Sequence, residues 1–127
     1  DHAAEHAGLA QGVTLIAARL PYDAARSQLY LPLDMLQQND GTEQEFFACK
    51  TTPAIRATLD QLFKGAREQL AVADDMLVDV AEPARAAFLP TALVKYDLTQ
   101  MSAASFDPFE LYLRTRLRTL WTLWRAS

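Results

Sequence analysis

Cysteine occurs once, at Cys49, so no intramolecular disulfide can form and a reducing compartment is expected. Glycine is nearly as scarce, four in 127 residues, and half the chain is hydrophobic, a balance that excludes a disordered polar chain. No stretch approaches the roughly 18 consecutive apolar residues of a membrane span, and no signal-peptide pattern stands at Asp1. Convincing strand patterns, internal repeats and low-complexity runs are all missing. The net charge of −4 and a pI near 5.0 argue against a general nucleic-acid binder. An initiator Met is also lacking: the chain opens inside a helical pattern, which leads us to expect part of a longer protein.

The length fits one all-α domain over residues 1–127, of about five helices. Ala3, Ala7, Ala10, Val13, Ala17 and Leu20 keep one stripe, widened by Leu9 and Ile16, until Pro21 is expected to stop the helix. Gly8 and Gly12, four apart, would permit close approach of another helix. Tyr22 to Pro32 reads as a loop, Leu33 to Gln38 as a short helix, and Asn39-Asp40-Gly41 as a turn. Thr42 with Glu45 forms a capping box for a brief helix through Cys49. Thr52-Pro53 opens the longest helix, with Ile55, Leu59, Leu62, Phe63, Ala66, Leu70, Ala73, Leu77 and Val80 at helical spacing. Glu82-Pro83 ends it and starts a helix from Ala84 to Leu98 that Pro90 should bend. A polar linker, Ser102 to Ser105, precedes a last helix presenting Phe109, Tyr112, Leu113, Leu117, Leu120, Trp121 and Trp124.

Several residues carry chemistry in principle. His2, Glu5 and His6 match H-x-x-E-H, which could bind zinc, although a surface or helix-packing histidine pair is the plainer reading. Asp74, Asp75 and Asp79 put carboxylates one turn apart, as the solvated face of an amphipathic helix also would. Cys49 reads as a small packing residue. Arg114, Arg118 and Arg125 lie opposite Trp121 and Trp124, a composition shared by membrane-surface helices and by core helices with a basic exterior. Arg19, Asp23 and Arg26 could cluster near the loop that closes in Tyr30-Leu31-Pro32, with the Tyr30 hydroxyl as an anchor.

Gly8-x-Ala10-Gln11, Tyr30-Leu31-Pro32-Leu33-Asp34, Thr52-Pro53-Ala54-Ile55-Arg56 and Phe88-Leu89-Pro90, in this order, resemble the C-terminal half of the squalene/phytoene synthase family. The opening Asp1 to Gly12, Leu20-Pro21-Tyr22 and Phe106-Asp107-Pro108-Phe109 are most similar to its non-enzymatic branch, represented by mitochondrial complex I assembly factor 6 and bacterial homologues. The resemblance implies an isoprenoid-synthase-like helical bundle around a cavity. In the enzymes of the family, two acidic residues four apart at the end of the first helix here hold Mg²⁺ against a prenyl diphosphate. At those places this chain has Arg19 and Asp23, a degenerate acidic motif in which a guanidinium cannot ligate a cation.

The resemblance therefore implies a catalytically inactive assembly factor, with no cofactor and no catalytic or metal-ligating residue, whose partners are complex I subunits or assembly proteins. The alternative is a Mg²⁺-dependent head-to-head prenyl transferase completed by a further N-terminal half. Gln11, Arg26 and Tyr30 would line a residual cavity or its loop, which could still hold an isoprenoid or lipid. The expected location is cytoplasmic, peripheral on the inner membrane, or the mitochondrial matrix in a eukaryote. An open apolar seam would make the chain self-associate through its first and fifth helices.

Overall fold

The computed structural model describes residues 2–78, 90–112 and 123–125. Among them the chain is all-α: α1 (His2–Ala25), α2 (Leu33–Gln38), α3 (Glu43–Phe47), α4 (Pro53–Leu77) and α5 (Pro90–Met101). The two long helices, α1 and α4, pack along each other, while α5 touches both and α2 and α3 close one end.

Helix α4 begins where the sequence places it. Thr52 is extended, its hydroxyl accepts the amide of Ile55 at 3.3 Å, and Pro53 fills a first-turn position where no N–H is needed. Thr42 caps α3 in the same way, accepting from the Glu45 amide at 3.3 Å. The α4 stripe Ile55, Leu59, Phe63, Ala66 and Leu70 is buried against Ala10, Ala17, Leu20 and Ala24 of α1 and Val94, Leu98 and Met101 of α5. Each large side chain removed from water here contributes about 1.5–3 kcal/mol. The alanines of α1 set the short distance at which the two helices can meet.

Pro21 does not end α1. The helix continues to Ala25 with Pro21 inside it, because Leu20 and Ala24 on either side are buried and packing offsets the single lost backbone bond. Termination comes instead at Ser27, in the left-handed region with φ 54. The Ser27 amide bonds the Ala24 carbonyl at 3.1 Å and the Gln28 amide the Asp23 carbonyl at 2.8 Å, a Schellman closure. The same pair of bonds ends α2, through Asp40 (φ 63) and Gly41, and α3, through Cys49 (φ 56) and Lys50. None of these three left-handed residues is a glycine.

Other expectations are corrected as well. A Cβ placed on Gly8 or Gly12 would meet nothing within 4 Å, so neither marks a close approach. Leu9 does not widen the buried stripe but is 55% exposed. Cys49 is exposed rather than packed, since its left-handed backbone turns it away from the core at the end of α3. Phe109 and Tyr112 are not helical, although both pack on the core. The linker from Ser102 to Ser105 is a tight turn: Arg56 on α4 donates to the carbonyls of Ala103 (3.2 Å), Ala104 (2.6 Å) and Phe106 (2.5 Å). Helix α5 reaches Met101, three residues past the expected end at Leu98. The expected helix start at Ala84, Asp79, Val80 and the arginines Arg114, Arg116 and Arg118 lie outside the described residues.

Candidate functional site

The two places of the acidic motif fall near the C-terminal end of α1, one turn apart. Since the helix runs through Pro21, Arg19 and Asp23 share a face after all, and an Arg19 Nη lies 3.9 Å from Asp23 Oδ1. Their environments differ sharply. The Arg19 side chain is 62% exposed and that of Asp23 only 3%. Oδ1 of Asp23 is closed to water and receives no hydrogen bond, so Arg19 is its neutralising charge at ion-pair distance.

The rest of the predicted set does not converge on this pair. Gln11 is exposed, and its carbonyl accepts from the Thr14 hydroxyl at 2.8 Å. Arg26 is exposed beyond the end of α1, its amide bonding the Tyr22 carbonyl at 3.1 Å. Tyr30 is not an anchor: it is 55% exposed, its hydroxyl donating to Gln28 Oε1 at 3.4 Å, while the adjacent Leu31 supplies the burial. A Mg²⁺ ion needs several oxygen donors in octahedral array. Asp23 offers one carboxylate with an oxygen closed to water and 3.9 Å from a guanidinium, so these residues do not fit the ion. Among the described residues no group of three or more His, Cys, Asp or Glu is placed to hold a metal.

The two histidines go separate ways. His2 Nδ1 lies 3.8 Å from Glu5, and His6 Nδ1 lies 2.5 Å from Gln69 Oε1 on α4, tying α1 to α4. Asp74 and Asp75 are exposed, and Asp74 takes Lys95 Nζ at 2.6 Å across the α4–α5 seam. That pair borders a groove of about 260 Å³ lined by Arg67, Leu70, Asp74, Lys95, Leu98 and Thr99. Arg67 is engaged there by the Ser102 hydroxyl.

Two polar features escaped the sequence reading. Asp97, on the buried stripe of α5, accepts a 2.7 Å hydrogen bond from the Tyr112 hydroxyl. Its position three residues after Val94 and four before Met101 marked it as inward-facing, but nothing marked Tyr112 as its donor. The Arg56 clamp was equally hidden, because its acceptors are backbone carbonyls about 50 residues away.

Comparison with known proteins follows the same lines. The family model for squalene/phytoene synthase matches residues 1–125. Over 116 residues the chain is 28% identical to NADH dehydrogenase (ubiquinone) complex I, assembly factor 6, of Mus musculus and of Rattus norvegicus, and 27% identical to that of Homo sapiens. Each alignment takes in 91% of this chain but 35% of the relative, so the chain spans about a third of the length of these proteins. No solved structure matches.

Proposed function

The chain belongs to the squalene/phytoene synthase family, and we propose that it is a non-catalytic member that helps assemble respiratory complex I. Its all-α, isoprenoid-synthase-like bundle is that of the family. The observation that carries the proposal is the Arg19–Asp23 pair. Ionising an allylic diphosphate requires positive charge brought to the departing phosphates, which the family's enzymes supply as Mg²⁺ held by paired acids. In this chain one place of the pair is a guanidinium, and the other is a buried carboxylate that this guanidinium neutralises. The relatives named as complex I assembly factors support the same reading.

Such a protein acts by presenting a surface. Its partners are complex I subunits or other assembly proteins, and its place is against the membrane that houses the complex, in the mitochondrion of a eukaryotic host. Contact with that membrane is peripheral in this reading; among the described residues no helix is long and apolar enough to cross it. The test is deletion of the gene followed by native gel electrophoresis of the membranes. Loss of assembled complex I, with isoprenoid products unchanged, is expected. Normal complex I would overturn the assembly role. Turnover of farnesyl or geranylgeranyl diphosphate with Mg²⁺ by the purified full-length protein would overturn the non-catalytic reading.

A further inference from the structure

The sequence contains one Asp-Gly pair, Asp40-Gly41, and it stands at the closure that ends α2. In an open peptide such a pair is chemically unstable. The Gly41 amide nitrogen can attack the Asp40 side-chain carboxyl carbon, forming a C–N bond and releasing water, because glycine has no Cβ to hinder the approach. Water then opens the five-membered succinimide at either carbonyl. Opening at the main-chain carbonyl breaks the original peptide bond and leaves the chain running through Cβ and Cγ, as isoaspartate. In the fold the nucleophile is held away from this path. The Gly41 amide bonds the Leu36 carbonyl at 2.9 Å and the Asp40 amide the Gln37 carbonyl at 3.0 Å, with Asp40 fixed in the left-handed region. Asn39 pins the same turn from its side chain, donating to the Met35 carbonyl at 3.0 Å and to Gln61 Oε1 on α4 at 2.8 Å.

We propose that Asp40-Gly41 is a site of aspartate isomerisation gated by the fold, closed while the end of α2 holds and irreversible once it has opened and reacted. The glycine is required where it stands. A Cβ at position 41 would lie 2.9 Å from Leu36 Cγ and 3.1 Å from Ala54 Cβ, so packing excludes the larger residue that would slow the attack. The same packing excludes the product. Isoaspartate adds one carbon to the main chain, about 1.5 Å, between two residues whose amides must both reach carbonyls of α2. Gly41 is buried and Leu36 is fully buried, so the added carbon displaces the end of α2 from α4. Helix ends open within the native state at free energies well below that of global unfolding. Each opening frees the Gly41 amide, and each reaction keeps the turn from closing again. The turn thus keeps a one-way record of how often this end of the bundle has come apart.

The test is incubation of the full-length protein at neutral pH and physiological temperature, in buffer and in concentrated urea, with isoaspartate at position 40 measured by mass-spectrometric peptide mapping. Isomerisation should run at least about tenfold faster in urea than in buffer. Equal rates, or no isomerisation in urea, overturn the gating. Asn39→Ala removes the side-chain pin and should speed the reaction several-fold in buffer while leaving the rate in urea unchanged. A folded variant, by far-UV circular dichroism, whose rate in buffer matches the wild type also overturns it; where that variant does not fold, the wild-type comparison decides. Irreversibility has its own readout. Isomerised protein returned to buffer should show a lower melting temperature and lose hydrogen-exchange protection at the Gly41 amide. Asp40→Gly tolerates the left-handed backbone but has no carboxyl, and should come through the same incubation unaltered. Isomerised protein that regains the original melting temperature and protection overturns the one-way step.

Discussion

Removing the guanidinium at Arg19 should expose what Asp23 costs the fold. The pair is asymmetric: a 62% exposed cation stands 3.9 Å from a carboxylate whose side chain is 3% exposed. A fully exposed pair contributes about 0–1 kcal/mol, and stripping the partner from a fully buried charge costs about 3–5 kcal/mol. With one member wet and one dry, and no hydrogen bond to Oδ1, Arg19→Ala should cost about 1–2 kcal/mol. Asp23→Asn removes the charge that needs neutralising, at the price of an amide with an imperfect environment, and should change stability by about 0.5 kcal/mol or less. The coupling is therefore the decisive quantity. Arg19→Ala in the Asp23→Asn background should cost under about 0.5 kcal/mol, leaving a coupling energy of about 1 kcal/mol.

Urea unfolding followed by far-UV circular dichroism measures it. With an m value of about 1.5 kcal/mol per molar urea, the single variant should move the midpoint down by roughly 1 M, and the double variant should return most of that shift. Equal losses in both backgrounds would refute the reasoning, because Asp23 would then be neutralised by something other than Arg19. Arg19→Asp sharpens the point. It restores two acids four apart, yet it should cost more than Arg19→Ala, since a like charge replaces the counterion. Mg²⁺ should not recover the loss, one carboxylate being sealed in the core. Recovery by Mg²⁺ would mean that a single residue separates this chain from a metal site.

Three further substitutions probe the scaffold. Arg56→Lys keeps the charge but loses the planar fork that spans the carbonyls of Ala103, Ala104 and Phe106, and should cost about 2–3 kcal/mol in the same urea assay. Cys49→Gly relieves a left-handed non-glycine residue at the end of α3 and should raise stability by about 0.5 kcal/mol, read as a higher melting temperature. Gly41→Ala drives a Cβ to 2.9 Å from Leu36 Cγ and 3.1 Å from Ala54 Cβ, and should cost about 1–3 kcal/mol, with unfolding at visibly lower temperature.

Helix starts and the long apolar stripe were legible because they depend on neighbours in sequence. Thr52-Pro53 caps α4, and Leu33 to Gln38 forms α2, as the local pattern implies. Helix ends were less legible. The signal for a Schellman closure is glycine, and α1, α2 and α3 close on Ser27, Asp40 and Cys49. Pro21 supplied a false stop, because the local cost of a proline was weighed without the packing of Leu20 and Ala24. At the candidate site, the charge types at Arg19 and Asp23 were plain from the residues. A polar cluster of Arg19, Asp23 and Arg26 was expected, but its form was not legible: the one-turn Arg19–Asp23 pair, without Arg26, depends on helix persisting through Pro21. That Asp23 is buried while Arg19 is exposed is a tertiary fact, set by how α1 lies on α4 and α5.

That asymmetry bears on what the C-terminal half of α1 is for. Two exposed acids there would repel each other and draw a soluble divalent cation, and the surface would be complete only when loaded. With Arg19 in one place the charge is balanced within the protein, and the face no longer depends on an ion to be stable. What then projects from this end of the helix is a guanidinium with most of its surface in water, followed two turns later by the exposed Arg26, with exposed Tyr22 between them. Arginine and tyrosine are among the side chains enriched where proteins bind one another, since each combines contact area with hydrogen-bond donors. With a guanidinium in one of the two places this turn of helix does not fit a metal, and its exposed Arg19, Tyr22 and Arg26 are residue types suited to the protein contact that the proposed role requires.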